Sequence, residues 1–163
     1  MASDYLLEIE GTKGEGQDMK LKESIEIESF SWGATQPGSF NTGMGGATGK
    51  VSFQDFHFST KANKASPNLM TAITTHKHIG KATLHVRKAT GAGGQQVYYK
   101  IVLTDCAISS YQSSGNSGGD SIPNDQFSFN FAKILFEYKP QNNKGGLEAA
   151  VTSEYDIKTQ DAK

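Results

Sequence analysis

The run from Gln126 to Lys139 constrains the fold more than any other part of the chain. Phe127, Phe129 and Phe131 alternate with polar residues, and then Ile134, Phe136 and Tyr138 alternate on the opposite parity. Period-two alternation belongs to a strand with one buried face. A change of parity inside such a run would turn half of its apolar side chains to water unless the strand gains a residue. A β-bulge supplies that residue and bends the strand, and this run, at about 14 residues, already exceeds the usual length of 3–10. The same shift occurs where Ile25 and Ile27 give way to Phe30 and Trp32, and where Phe53 gives way to Phe56 and Phe58. Curved, bulged, sequence-adjacent strands favour a closed barrel or a tightly wrapped sandwich.

Other strand-like runs are Tyr5 to Glu10, Ile25 to Trp32, Val51 to Ser59, Ala82 to Lys88, Gln96 to Thr104 and Cys106 to Ser113, recognised by alternation and by β-branched and aromatic content. One segment instead has helical spacing: Ser66 reads as an N-cap, Pro67 as the first helical residue, and Leu69, Ala72, Ile73 and His76 share a face, with Gly80 just past the end. Lys77 would complement the negative end of its dipole. The expected architecture is mainly β: a bulged antiparallel β-barrel with one short α-helix and a long extended loop. Residues 1–163 read as a single domain. The loop is residues 33–50, which hold six glycines and, apart from Phe40 and Met44, almost no apolar side chain. Loops beyond about 12–15 residues without structure of their own are usually functional or disordered. A second loop, Ser113 to Asp125, is rich in Ser and Gly, and residues 141–163 read as a polar linker and a terminal strand carrying Val151, Tyr155 and Ile157.

Charge narrows the function classes. Sixteen Lys and Arg face 17 Asp and Glu, so there is no cationic surplus for a nucleic-acid backbone. No apolar run approaches the 18–20 or so residues of a membrane helix, so membrane insertion is not expected. The N-terminus, Met1 to Glu8, lacks the basic start, apolar stretch and small-residue cleavage site of a signal peptide. A single cysteine, Cys106, cannot make an internal disulfide, which fits synthesis in a reducing cytoplasm.

Motifs that suggest chemistry are weak here. Gly45-Gly46-Ala47-Thr48-Gly49-Lys50-Val51 resembles a phosphate-binding loop, but Met44 stands at the first glycine, Val51 follows the lysine, and a strand follows where a helix is needed. Gly115-Asn116-Ser117-Gly118-Gly119 satisfies the nucleophile-elbow pattern, yet no helical run follows Ser117. His57, His76, His78 and His85 have no accompanying ligand set for a metal. Glu8, Glu10, Glu26 and Glu28 alternate with apolar residues and read as solvated faces. Cys106 has no cationic neighbour to activate it. No cofactor, metal or catalytic set is expected. A monomeric β-sandwich binding glycans through Trp32, Phe40 and Tyr111 is the main alternative, and a serine hydrolase built on Ser117 is a weaker one.

Several segments together resemble the haemolysin-coregulated protein (Hcp) family of bacterial type VI secretion. They are Phe30-Ser31-Trp32-Gly33, the loop ending Gly49-Lys50-Val51, Asp55 to Lys61, Asn63 to Leu69, Lys81 to Lys88, Phe129-Asn130-Phe131 and Tyr155-Asp156-Ile157-Lys158. The resemblance covers nearly the whole chain. It implies a non-enzymatic β-barrel subunit that closes into a homo-hexameric ring. Rings stack into a tube within a sheath, with baseplate and spike components as further partners, and the tube carries effectors. It implies a bacterial cytoplasmic protein secreted through the type VI apparatus. It also implies that Gly38, Ser39, Phe40, Asn41, Thr42, Gly43, Met44, Gly45 and Gly46 form the inter-ring assembly loop, and that Ser117 faces the channel and its effectors.

Overall fold

The computed structural model describes residues 4–18, 20–37, 51–90, 94–119 and 122–163. Among these described residues eleven strands and one helix follow in order: β1 (Asp4–Ile9), β2 (Ile25–Glu26), β3 (Ser29–Ser31), β4 (Ala34–Thr35), β5 (Ser52–Phe53), β6 (Phe56–Lys61), α1 (Ser66–Thr74), β7 (Ile79–Ala89), β8 (Gln95–Ser114), β9 (Asn124–Tyr138), β10 (Val151–Asp156) and β11 (Asp161–Ala162). All pairings are antiparallel. The main sheet runs β11-β10-β9-β8-β7-β1-β2, and β6 joins the free half of β9 and carries β3. Because β3 continues the chain from β2, the sheet wraps back on itself as the expected barrel. Its seam is not a ladder. It is bridged by the Glu28 N–H donating to Ser59 O at 2.8 Å and by Thr60 Oγ1 donating to Glu26 O at 2.5 Å.

The three parity shifts have two causes, and neither is the bulge expected from the sequence. Between Ile27 and Phe30 the strand breaks: the Ile27 N–H still bonds β1 at Tyr5 O, whereas the Glu28 N–H bonds β6. Between Phe53 and Phe56 it breaks again, with the Gln54 N–H bonding Gly33 O at 2.9 Å. In β9 the strand is continuous and keeps its register with β8 from Tyr138 opposite Tyr99 to Phe129 opposite Ile108. There the partner changes face at the same place. Ile101 and Leu103 are buried on one side of Asp105, and Cys106 and Ile108 on the other. Asp105 lies opposite Ala132 and Gly80, and it adopts φ +51°, a left-handed conformation inside a strand. Three neighbouring strands thus turn over along one crease, and the expected strands Gln96–Thr104 and Cys106–Ser113 are the two halves of β8. True bulges occur elsewhere on β8, where Tyr98 and Ser109 are the extra residues.

Helix α1 begins one residue earlier than expected. Ala65 is the N-cap without a side-chain cap, Pro67 lies in the first turn, and His76 and Gly80 are outside the helix, Gly80 within β7. Ser66 is unavailable as a cap because its hydroxyl accepts from the Asn63 N–H at 3.0 Å and donates to Asp125, a carboxylate with no exposed surface. Asn63 organises the entry instead, its Oδ1 accepting from the Ala65 N–H at 2.8 Å. Leu69 and Ala72 bury the inner face of α1, and the helix packs against β8. A single core joins these residues to Phe56, Phe58, Phe127 and Phe129. Each aromatic contributes about 1.5–3 kcal/mol by leaving water.

Candidate functional site

Gly38, Ser39, Phe40, Asn41, Thr42, Gly43, Met44, Gly45 and Gly46 lie outside the described residues, as does Lys50 of the phosphate-loop-like segment. The stem that carries them is described. Ala34 pairs with Phe53 and Thr35 with Ser52, so the two ends of the loop leave the barrel side by side. Aromatic side chains fasten this stem to the C-terminal half of β9. Trp32 stacks on Phe56 with ring planes 9° apart, meets Phe136 edge-on, and donates its indole N–H to the Tyr99 hydroxyl at 3.1 Å. Phe53 packs against Phe131 and Tyr155.

Ser117 lies exposed at the tip of the β8–β9 hairpin, beyond the other end of β9. Asn116 shapes this turn, its Oδ1 accepting from the Gly118 N–H at 2.9 Å. Among the described residues no histidine bonds Ser117, so the arrangement of a serine nucleophile with its base is not assembled there.

The most distinctive surface was not singled out from the sequence. On the outer side of β3, β6, β9 and the C-terminal half of β8, directly paired residues form two rows: Ser29, Ser59, Gln126 and Gln112, then Ser31, His57, Ser128 and Ser110. Directly paired residues share a face, and these two rows hold no Asp, Glu, Lys or Arg; Lys61, paired with Asn124, follows on the same side at the end of β6. A groove of about 390 Å³ lies at the β3–β6 end of this face, between Ser29 and Ser31 on one strand and His57 and Ser59 on the other. Ser128 is buried beneath the hydroxyls of Ser109 and Ser110, at 2.7 and 2.5 Å, so the Ser109 bulge closes a three-hydroxyl cluster. The inner side of the same strands carries Phe30, Phe58, Phe127 and Tyr111.

The opposite outer surface, beyond the crease, is charged and internally paired. Arg87 binds Asp18 at 2.7 Å and Asp4 at 3.3 Å, His85 meets Glu8 at 2.7 Å, and Lys133 meets Glu154 at 2.9 Å. The Arg87 hydrogen bond holds the Asp18 carboxyl below its ordinary range. Burial pushes the His85 imidazole down, against the pull of Glu8.

Residues 6–138 match the model of the family described as "Type VI secretion system effector, Hcp". The chain belongs to the Hcp family. It is 39% identical over 148 residues to Protein hcp1 of Pseudomonas aeruginosa, covering 91% of this chain and 90% of that protein. It superposes on the Hcp1 structure from Salmonella typhimurium with a TM-score of 0.80 at 30% identity, covering all of both chains. A structure described as a type six secretion system protein gives a TM-score of 0.91 at 26% identity, covering 99% of this chain and all of that one.

Within this Hcp fold the remaining candidate groups have structural roles. Cys106 is buried, its thiol pushed up to about 12 chiefly by burial, which withholds the thiolate needed for reaction. Among the described residues no three His, Cys, Asp or Glu side chains gather as a metal site. No helix among them is long and apolar enough to cross a membrane. Glu8, Glu10, Glu26 and Glu28 are exposed, as expected. Trp32 and Tyr111 pack against the core, which removes both from an exposed sugar-stacking platform; Phe40 lies outside the described residues.

Proposed function

We propose that this chain, a single domain over residues 1–163, is the ring-forming subunit of a type VI secretion tube. Six copies close into a ring, rings stack through the 33–50 loop with Gly38 to Gly46 at the contact, and the uncharged face lines the channel. The single observation that carries this reading is the pair of rows Ser29, Ser59, Gln126, Gln112 and Ser31, His57, Ser128, Ser110. A wall with fixed charge attracts one class of cargo and repels the other, whereas hydroxyls and amides offer short-lived hydrogen bonds to any polar surface. The paired charges on the other side suit contact with neighbouring copies and with sheath, baseplate and spike components. Ser117, at the hairpin tip, extends the same small-polar chemistry to the channel rim.

In this reading the protein breaks and makes no covalent bond. It is made in the bacterial cytoplasm and leaves through the apparatus with its effectors. Ring closure is heterologous, one patch meeting a different patch on the next copy, and an effector held in the channel gains stability by mass action. Light scattering across a dilution series tests the assembly. A mass near six times 17.6 kDa is expected; a stable monomer at high concentration overturns it.

A further inference from the structure

Among the side chains of the two uncharged rows, His57 alone can acquire a charge. It is exposed on β6, directly between Ser31 of β3 and Ser128 of β9. We propose that His57 gives the channel face its charge selectivity, binding acidic protein surfaces in its protonated form. The proposal rests on reading this face as the channel wall and names the class of cargo that the wall distinguishes.

The surroundings leave this role to one side chain. From β3 the groups on this face are Ser29 and Ser31, and from β9 they are Gln126 and Ser128. The one carboxylate that β9 brings to this region, Asp125, is fully buried and accepts from Ser66. Asp55 lies just before β6, two positions from His57, and Lys61 ends β6, four positions after it and about 14 Å along the strand. Lys61 is paired with Glu28 at 3.7 Å, so that end contributes both signs together. Imidazole changes charge between about pH 5 and 8. The two rows otherwise offer only neutral hydrogen-bonding groups, so a protonated His57 adds one cation per copy at the same height. Closure of six copies repeats that cation around the channel, so a weak individual attraction acts several times on one cargo.

The test uses assembled rings and fluorescein-labelled hexaglutamate and hexalysine peptides, followed by anisotropy at pH 8 and pH 6. Hexaglutamate is expected to bind about tenfold more tightly at pH 6, the gain from a few exposed ion pairs acting together. Hexalysine should gain nothing. His57→Asn rings, which keep a neutral polar side chain at an exposed site, should lose the pH response, and His57→Lys rings should bind hexaglutamate tightly at both values. An undiminished pH response in His57→Asn, or no hexaglutamate binding by the unaltered rings at either pH, overturns the proposal. Light scattering on the same samples keeps the two readings separate. A monomer refutes the ring, while the peptide comparison still decides whether His57 carries the response.

Discussion

Replacing Phe53 with alanine separates the anchoring of the loop stem from the integrity of the barrel. The Phe53 ring meets Phe131 edge-on with centroids 5.8 Å apart and Tyr155 at 5.5 Å, while its backbone pairs with Ala34. Removing a fully buried phenylalanine costs about 3–5 kcal/mol. Phe53 is half-buried, so about 2 kcal/mol is expected, including the two aromatic contacts at about 0.5–1.5 kcal/mol each. For a chain of this length, each kcal/mol moves the melting temperature by about 2–4 °C, giving a fall of about 4–8 °C. Circular dichroism melts at equal protomer concentration measure it, since assembly makes the midpoint concentration-dependent. Light scattering should still find rings, and electron microscopy should find fewer tubes, because the stem loses its hold on β9 and β10. A fall of more than about 15 °C, or loss of ring mass, would mean that Phe53 belongs to the core or the ring contact. An unchanged melt would mean that these contacts do not anchor the stem.

Deleting Gly38 to Gly46 should leave rings of unchanged mass and abolish their stacking; loss of the rings themselves would place the loop at the ring-closing contact. Because burial depresses His85, the unfolded chain takes up its proton at higher pH than the folded one. Stability from this group is therefore complete above about pH 6.5 and is lost as pH falls below it, so His85→Gln should flatten the decline of the urea midpoint between about pH 7 and 5. Equal slopes in the two proteins would show that His85 does not govern this window. At Asp105, which holds φ +51°, substitution by valine should cost about 1–2 kcal/mol or more in urea unfolding. Glycine relieves the backbone but loses the 3.0 Å contact with His78, for a net change within about 1 kcal/mol.

Alternation made most of the sheet legible, because the buried face of each strand is written as every second residue. Phe127, Phe129 and Phe131 point inward as the alternation implies, and a terminal strand forms at Val151–Asp156 with Tyr155 against the core, whereas Val151 is exposed and Ile157 lies just past the strand. The causes of the parity shifts were not legible, since a bulge, a break and a crease shared by paired strands leave the same local pattern. Only the partner distinguishes them: Phe131 and Ile134 stay in register because Asp105 turns over opposite Ala132. The Ser66 cap failed for a similar reason, as its hydroxyl is claimed by Asp125, 59 positions away. The uncharged face did leave a signal. The polar positions alternating with Phe30, Phe58 and Phe127 are Ser, His and Gln, whereas those alternating with Leu7, Ile9 and Ile25 are Glu. Comparing the polar parity across strands, and not only the apolar one, would have found it.

The crease through Gly80, Asp105 and Ala132 also bears on how such a chain can diversify. One hairpin, β8 with β9, supplies the charged exterior with one half and the uncharged rows with the other; on β9 the residues that point outward have opposite parity in the two halves, whereas on β8 the Ser109 bulge restores the parity that the crease reverses. Substitutions at Gln112, Gln126 or Ser110 fall on the uncharged half of the hairpin and leave the charged half untouched. On the proposed reading, selection can alter what the channel tolerates while the neighbour-facing surface stays constant. A one-residue insertion at the crease would instead exchange lining for core in half a hairpin, so variation should accumulate as substitutions on either side of that line and not as changes in length across it.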